Sequence, residues 1–305
     1  ERYIKIWNNL KLTILYLNEY VFLTFIVITL KNLTYLPLVT RLSKNVIRIL
    51  GCNKGFMTLQ GTNSYLVGTG DRRILIDTTE KRTANDYIKL LRSVLEEEKA
   101  TIEHLLITHW HIDHLGAVNS VLNMLKTINT EIKSAVWKFP RTADDKSSRN
   151  MENLFKWKQL RDKQIIEVEG AKLSVEYTPG HATDHASFIM EDGKILFSGD
   201  CILGEGTAVF EDLNTYIATL KKMLTMKPKI IYPGHGPIIE NPENRLKREN
   251  DILNILEQNT KNNTLSELDI VNHLYTEVSS KDMSKAAVYT VKGHLDKLLK
   301  EGKVK

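Results

Sequence analysis

Residues 108–114 read THWHIDH and place three of the chain's nine histidines, together with an aspartate, within seven positions. The apolar run IEHLLIT (102–108) leads into this stretch with a strand-like pattern, and GAVNSVLNMLKTI (116–128) leaves it with apolar residues at helical spacing. His109, His111, Asp113 and His114 therefore fall on a loop where a strand ends. Imidazole and carboxylate are the ligand types that suit a borderline divalent ion such as zinc. Four such residues in six positions are more than one tetrahedral ion takes from so short a segment, so two ions sharing the loop is the economical reading.

The same arrangement recurs along the chain. YTPGH supplies His181, FSGD supplies Asp200 and YPGHG supplies His235, and each follows an apolar run. VIRIL (46–50), SYLVG (64–68), RRILID (72–77), KLSVEYT (172–178), ASFIM (186–190), KILFSGD (194–200) and KIIYPGHG (229–236) read as strands. TANDYIKLLRSVLEEE (83–98) and EDLNTYIATLKKMLT (211–225) read as amphipathic helices. Strands in two groups with interspersed helices predict a layered α/β fold over residues 45–240. A single histidine after a strand is ordinarily a surface residue. Seven ligand-type residues at repeated strand ends favour a metal site instead.

Beyond Asn241 the pattern changes. Residues 241–262 read as a connecting helix, Thr264 to Glu267 is a capping box, and 284–305 form an amphipathic segment ending in Gly302 and a short β-like KVK. Residues 241–305 are thus expected to form a connecting helix and a small winged-helix-like domain. At the other end, residues 12–30 are strongly apolar, interrupted by Asn18 and Glu19, and the uninterrupted part is short for a bilayer span. Residues 1–44 are read as an extension outside the fold, with membrane contact or targeting left open.

This constellation resembles the metallo-β-lactamase superfamily, whose pattern is an aspartate ending a strand, then H-x-H-x-D-H, then a histidine, an aspartate and a histidine. Asp77, His109/His111/Asp113/His114, His181, Asp200 and His235 match it. The resemblance implies an αβ/βα sandwich with two zinc ions. By it, His109, His111 and His181 hold one ion, Asp113, His114 and His235 hold the other, and Asp200 bridges them. Asp77 and His185 would act from outside the ligand set, His185 with contact to substrate as an equal alternative, and Asn63 and Thr62 would lie near the site. Thr79 stands where the family more often has glycine, and Ala182 where it more often has threonine.

Longer strings, including GCNKGFMTLQGTNSYLVGTG and FSGDCILGEGTAVFEDL, are similar to RNA-cleaving members of the mitochondrial matrix. The expected activity is zinc-dependent hydrolysis of single-stranded RNA, leaving a 5′-phosphate and a 3′-hydroxyl. A hydroxide held between the two ions would attack, and Asp113 would orient the water. No DNA substrate is expected. A thioester hydrolase of the glyoxalase II type shares the ligand set and is the first alternative. A non-catalytic RNA-binding protein with structural zinc is the second, disfavoured because structural sites are usually closed and cysteine-rich. A β-lactamase would generally lack the bridging aspartate, and an inserted β-CASP region has no room between Asp200 and His235.

Composition agrees with a folded, mildly basic protein: 42% apolar, 26% charged, formal net charge +5. Cys52 and Cys201 form no Cys-x-x-Cys pair, which argues for a reducing compartment, mitochondrial matrix by resemblance or cytoplasm otherwise. Cys201 is expected to be packed in the interior rather than to be a ligand. Between Lys133 and Lys163, Lys138, Arg141, Lys146, Arg149, Lys156, Lys158 and Arg161 are interleaved with Trp137, Phe139, Phe155 and Trp157. That mixture fits a channel for single-stranded RNA, and equally a helix face with aromatics turned into the core.

Overall fold

A computed structural model describes residues 33–128, 133–141, 155–190, 194–206 and 208–243. Apart from Leu33 they belong to one compact unit, Thr34–Leu246. Residues 1–32 and 244–305, with the capping box and terminal helix expected there, lie outside the described residues, as do Lys146 and Arg149.

Among the described residues, twelve strands form two sheets. The first runs in the order β1 (Val39–Ser43), β2 (Val46–Leu50), β3 (Asn63–Val67), β4 (Arg72–Ile76), β5 (Thr101–Leu106), β6 (Ala135–Lys138), β7 (Lys158–Gln159). The second runs β12 (Ile230–Pro233), β11 (Ile195–Gly199), β10 (Ala186–Met190), β9 (Ala171–Tyr177), β8 (Ile165–Val168). The β4–β5, β5–β6, β6–β7 and β11–β12 pairs are parallel. Parallel neighbours require a crossover. Helix α1 (Ala84–Glu97) supplies it between β4 and β5, α2 (Ile112–Leu115) with α3 (Val118–Ile128) between β5 and β6, and α4 (Leu213–Met226) between β11 and β12.

Alternation along the strands builds two cores. Val46, Tyr65, Val67, Ile74, Ile76 and Leu106 of the first sheet meet Leu173, Val175, Phe188, Met190 and Phe197 of the second. The opposite face of the first sheet, with Ile47, Ile49, Leu66, Leu75 and Leu105, packs on Tyr87, Leu91, Val121 and Leu125 of α1 and α3. Every residue of β10 and β11 is buried, so both faces of the second sheet are covered. Helix α4 buries Tyr216, Ile217, Leu220 and Met223, and its Tyr216 hydroxyl donates to Cys201 O at 2.7 Å. The layers are helix, sheet, sheet and helix, as expected. Among the described residues no helix is long and apolar enough to cross a membrane.

One expected boundary is corrected. Residues 39–43, expected to lie within the extension of residues 1–44, form β1 and pair antiparallel with β2, Val39 opposite Ile49. As an exposed edge strand, β1 has no buried apolar face and follows Pro37, so its residues VTRLS carry little strand pattern.

Candidate metal centre

Each expected ligand, and Asp77 behind them, follows the C-terminal end of a strand, and all those ends meet at one edge of the sandwich. Asp77 follows β4, the 109–114 loop follows β5, His181 follows β9, Asp200 follows β11 and His235 follows β12. Sharp local turns put the side chains there. Asp77 sits at φ 58°, a left-handed conformation that aspartate tolerates better than most residues. Gly234 must be glycine for another reason: a Cβ at that position would collide with Asp200 Oδ1.

Two groups result, His109/His111/His181/Asp200 and Asp113/His114/His235. In the first, His109 Nε2 lies 2.8 Å from His111 Nδ1, and His181 Nε2 lies 3.1 Å from both. In the second, His235 Nε2 is 3.2 Å from Asp113 Oδ2 and 3.3 Å from His114 Nε2, which is itself 3.4 Å from Asp113 Oδ2. Asp200 lies between them. Its Oδ1 is 3.5 Å from His114 Nε2, and its Oδ2 is 3.4 Å from His235, 3.7 Å from His181 and 4.0 Å from His109.

The hydrogen-bond network shows what this arrangement requires. Thr108 donates its hydroxyl to Asp77 Oδ2 (2.8 Å) and so accepts from His109 Nδ1–H (2.9 Å). His114 Nδ1–H donates to Asp77 Oδ2 (2.8 Å), His181 Nδ1–H to Val209 O (2.6 Å), and His235 Nδ1–H, more weakly, to Gly61 O (3.4 Å). These four tautomers are assigned from the network. His109 and His181, kept neutral, spend their one N–H outward and turn lone pairs inward; His114 and His235 turn inward an Nε2 that holds a proton until a metal ion displaces it. Lone pairs at these separations repel unless a cation or shared protons stand between them. Ligands about 2.0–2.1 Å from a tetrahedral ion are about 3.3 Å apart, close to the spacings here. Asp200 Oδ1 is buried with no hydrogen-bond partner, a costly state for a carboxylate oxygen unless a cation takes it. The residues fit metal ions.

Charge divides the two groups. Burial, with His181 next, pushes His111 down to about 3. Burial and the neighbouring rings hold His109 well below the ordinary histidine value, and burial lowers His181. In the other group burial acts the same way, but the carboxylates outweigh it. Asp200 and Asp113 push His235 up to about 10, and Asp113, Asp200 and Asp77 hold His114 well above its usual value. Burial opposes ionisation of Asp113 and Asp200, yet the adjacent His114 and His235 keep both carboxyls well below the usual range.

The residues expected outside the ligand set divide by role. Asp77 accepts from Thr108 N–H (2.8 Å) as well as from Thr108 Oγ1 and His114, so it orients a ring in each group. His185 is fully buried under the site; its Nε2 accepts the Asp200 N–H (3.1 Å), and its Nδ1 donates to Thr178 Oγ1 (2.9 Å). That placement supports Asp200 and leaves no face for substrate. Cys201 is buried, as expected. Thr79, the departure from the family pattern, donates to Gly51 O at 2.7 Å and is structural. Asn63 donates to Pro233 O and Gly236 O, both at 2.9 Å, and steadies the His235 turn; Thr62 Oγ1 is 3.5 Å from Asp113 Oδ2. Sequence reasoning missed Thr108 and Glu211. Thr108 at the end of β5, beside the histidine motif, was the one available signal.

The basic and aromatic region changes character. Phe139 and Phe155 are buried, Lys138 pairs with Asp184 and Arg141 with Glu211, so these four are not open to RNA. Lys133, Lys156, Lys158, Arg161 and Lys163 are exposed. The even choice between a channel and a packed face is decided for the buried members by pairing partners in the second sheet's loops.

Residues 266–305 match the beta-lactamase associated winged helix domain. The Beta-lactamase-like protein 2 homolog of Drosophila melanogaster is 46% identical over 278 residues, 88% of this chain and 93% of that protein. The Beta-lactamase-like protein 2 homolog of Caenorhabditis elegans is 40% identical over 281 residues, 90% of each. The atrochrysone carboxyl ACP thioesterase of Aspergillus fumigatus is 35% identical over 236 residues, 77% of this chain and 70% of that one. A beta-lactamase domain protein from Burkholderia ambifaria shares the fold, with a TM-score of 0.63 at 16% identity over 88% of this chain and 92% of its own. Residues 57–235 match the metallo-beta-lactamase superfamily model, and with these relatives that match makes the chain a member of this superfamily, whose proteins are generally metal-dependent hydrolases.

Proposed function

We propose that this protein is a zinc-dependent endoribonuclease that hydrolyses phosphodiester bonds of single-stranded RNA. The observation that carries the hydrolytic part is the pair of donor groups with Asp200 between them. His109, His111 and His181 would hold one zinc ion, Asp113, His114 and His235 the other, and Asp200 both. When bound, two such ions lower the pKa of water toward ~7 and offset charge on the phosphodiester oxygens. The chain's own residues do the rest. Asp113, ionised and partly exposed, would orient the attacking water. Asp77, through Thr108 and His114, fixes the ring orientations. His185 holds the Asp200 backbone from below.

The choice of RNA is supported by the matched winged helix at 266–305, a module absent from the hydrolytic chemistry itself, and by the basic balance of the chain. Exposed Lys156, Lys158 and Arg161 offer phosphate contacts near β7. Action in the mitochondrial matrix belongs to the same proposal and is checked by fractionating cells that express the full chain.

A second reading has its own support: one of the relatives is named as an acyl carrier protein thioesterase. One experiment separates the two. Wild type and Asp200→Asn are incubated with labelled single-stranded RNA, double-stranded RNA, S-lactoylglutathione and an acyl carrier protein thioester. Cleavage of single-stranded RNA by wild type alone, abolished by a chelator, is expected. Intact RNA beside rapid thioester hydrolysis would replace this proposal with the second reading.

A further inference from the structure

Two ion pairs cross from the first sheet to the loops of the second beside the histidine-rich group. Lys138, the last residue of β6, has its Nζ 3.4 Å from Asp184 Oδ2, and Arg141 Nη1 donates to Glu211 Oε1 at 2.9 Å. The cations are also stacked: Lys138 Nζ lies 4.6 Å over the Trp157 ring, and Arg141 Cζ 4.0 Å over the Trp110 ring.

Glu211 is the junction. Its Oε1 also accepts from the Trp110 indole N–H (3.2 Å), and its Oε2 accepts from Thr183 N–H (3.0 Å). Its own N–H donates to Gly180 O (2.8 Å) and His181 O (3.2 Å). Trp110 separates His109 from His111, and Gly180 and Thr183 flank His181. One residue therefore ties together the two chain segments that supply the histidine-rich group. Those segments come from different sheets, and among the described residues the backbone joins them through the Ala186 N–H to Thr108 O bond (2.7 Å), away from His111 and Trp110.

We infer that Glu211, held by Arg141, is a positioning residue that sets the spacing of His111 and His181 and with it the grip of the histidine-rich group on its ion. This rests on reading the site as a two-ion centre. Without Glu211 the Thr183 N–H and Trp110 N–H lose this acceptor, and the Arg141 charge, only 7% exposed, loses the carboxylate 2.9 Å away. Ligand geometry has to be held to about 0.5 Å for full affinity. Arg141 is on this account committed to Glu211 and does not contact substrate.

The test uses the full chain as wild type, Glu211→Ala, Glu211→Gln and Arg141→Lys. Zinc affinity is measured by chelator competition, cobalt(II) substitution gives a visible spectrum, and melting of the metal-free proteins checks folding. Glu211→Ala is expected to weaken one of the two ions by about 10–100-fold, the range for loss of an outer partner, and to shift that ion's cobalt band while the other ion is retained. Glu211→Gln should recover part of the loss, since an amide oxygen still accepts from Thr183 and Trp110. Arg141→Lys, which keeps the charge but not the stacked fork, should weaken the same ion and carries the test if Glu211→Ala does not fold. Wild-type affinity and spectra in Glu211→Gln and Arg141→Lys would overturn the inference. So would Arg141→Lys with wild-type zinc affinity and a raised KM for RNA, which would put Arg141 on the substrate. Wild-type protein that fails to bind two ions would instead remove the two-ion reading, before any variant is compared.

Discussion

The two halves of the centre are built from opposite materials. His109, His111 and His181 face one another nitrogen to nitrogen within 3.1 Å, and burial keeps their rings neutral. His114 and His235 share their space with Asp113 and Asp200, with Asp77 behind His114, and those carboxylates raise both rings. The first half is a geometric trap in which neutral donors must be held at the right spacing. The second is an electrostatic one, where negative charge accumulates and a proton or a metal cation relieves it. Asp200 belongs to both, which couples a site selected by shape to a site selected by charge.

The largest expected effect falls on Asp200. Asp200→Ala removes the carboxylate the halves share, so both ions should weaken and RNA cleavage should fall by more than the roughly 10–100-fold that loss of an outer partner costs. Metal content and initial rate measure this together. Full retention of both ions would break the coupling.

Next come His111→Ala and His235→Ala. Each should release the ion of its own half and keep the other, read by metal analysis after gel filtration. Loss of both ions from either variant would mean that the halves are not separable.

Asp77→Asn should have a smaller effect, a fall in zinc affinity of about 10–100-fold. The larger share should fall on the acid-rich half, since Asp77 bonds His114 directly and His109 only through Thr108. An equal loss in both halves would deny that difference.

The remaining contrast is in protons. His114 and His235 present the same Nε2 to a proton or an ion. Their raised values, about 10 for His235, keep protons on in the metal-free protein at neutral pH. Filling the acid-rich half must release them, so its affinity should rise with pH toward about 10, by at most about tenfold per pH unit for each proton released. His111, at about 3, has already lost its proton, and the histidine-rich half should be nearly indifferent across the neutral range. Calorimetry in two buffers of different ionisation enthalpy separates the halves, and equal proton release from both would contradict the contrast.

Much of this was legible in the sequence because strand ends and ligand-type residues coincide. His109, His111, Asp113, His114, His181, Asp200 and His235 each follow an apolar run, and the runs themselves reveal the layered architecture. What escaped depends on distant partners. Lys138 and Arg141 count as basic residues in any composition, but their meaning is set by Asp184 and Glu211, which lie far along the chain in loops of the other sheet. Thr108 is an ordinary strand residue until Asp77 and His109 close around its hydroxyl. Strand β1 is an edge with half-exposed residues, where alternation between apolar and polar carries no information.

The central claim is that seven side chains from four strand ends hold a pair of cations with Asp200 between them. Crystals of the full chain grown with zinc, measured at the zinc absorption edge, test it most directly. Two anomalous peaks are expected, one among His109, His111 and His181 and one among Asp113, His114 and His235, with an Asp200 oxygen within bonding distance of both. A single peak, or a pair of peaks with Asp200 turned away, would contradict the account.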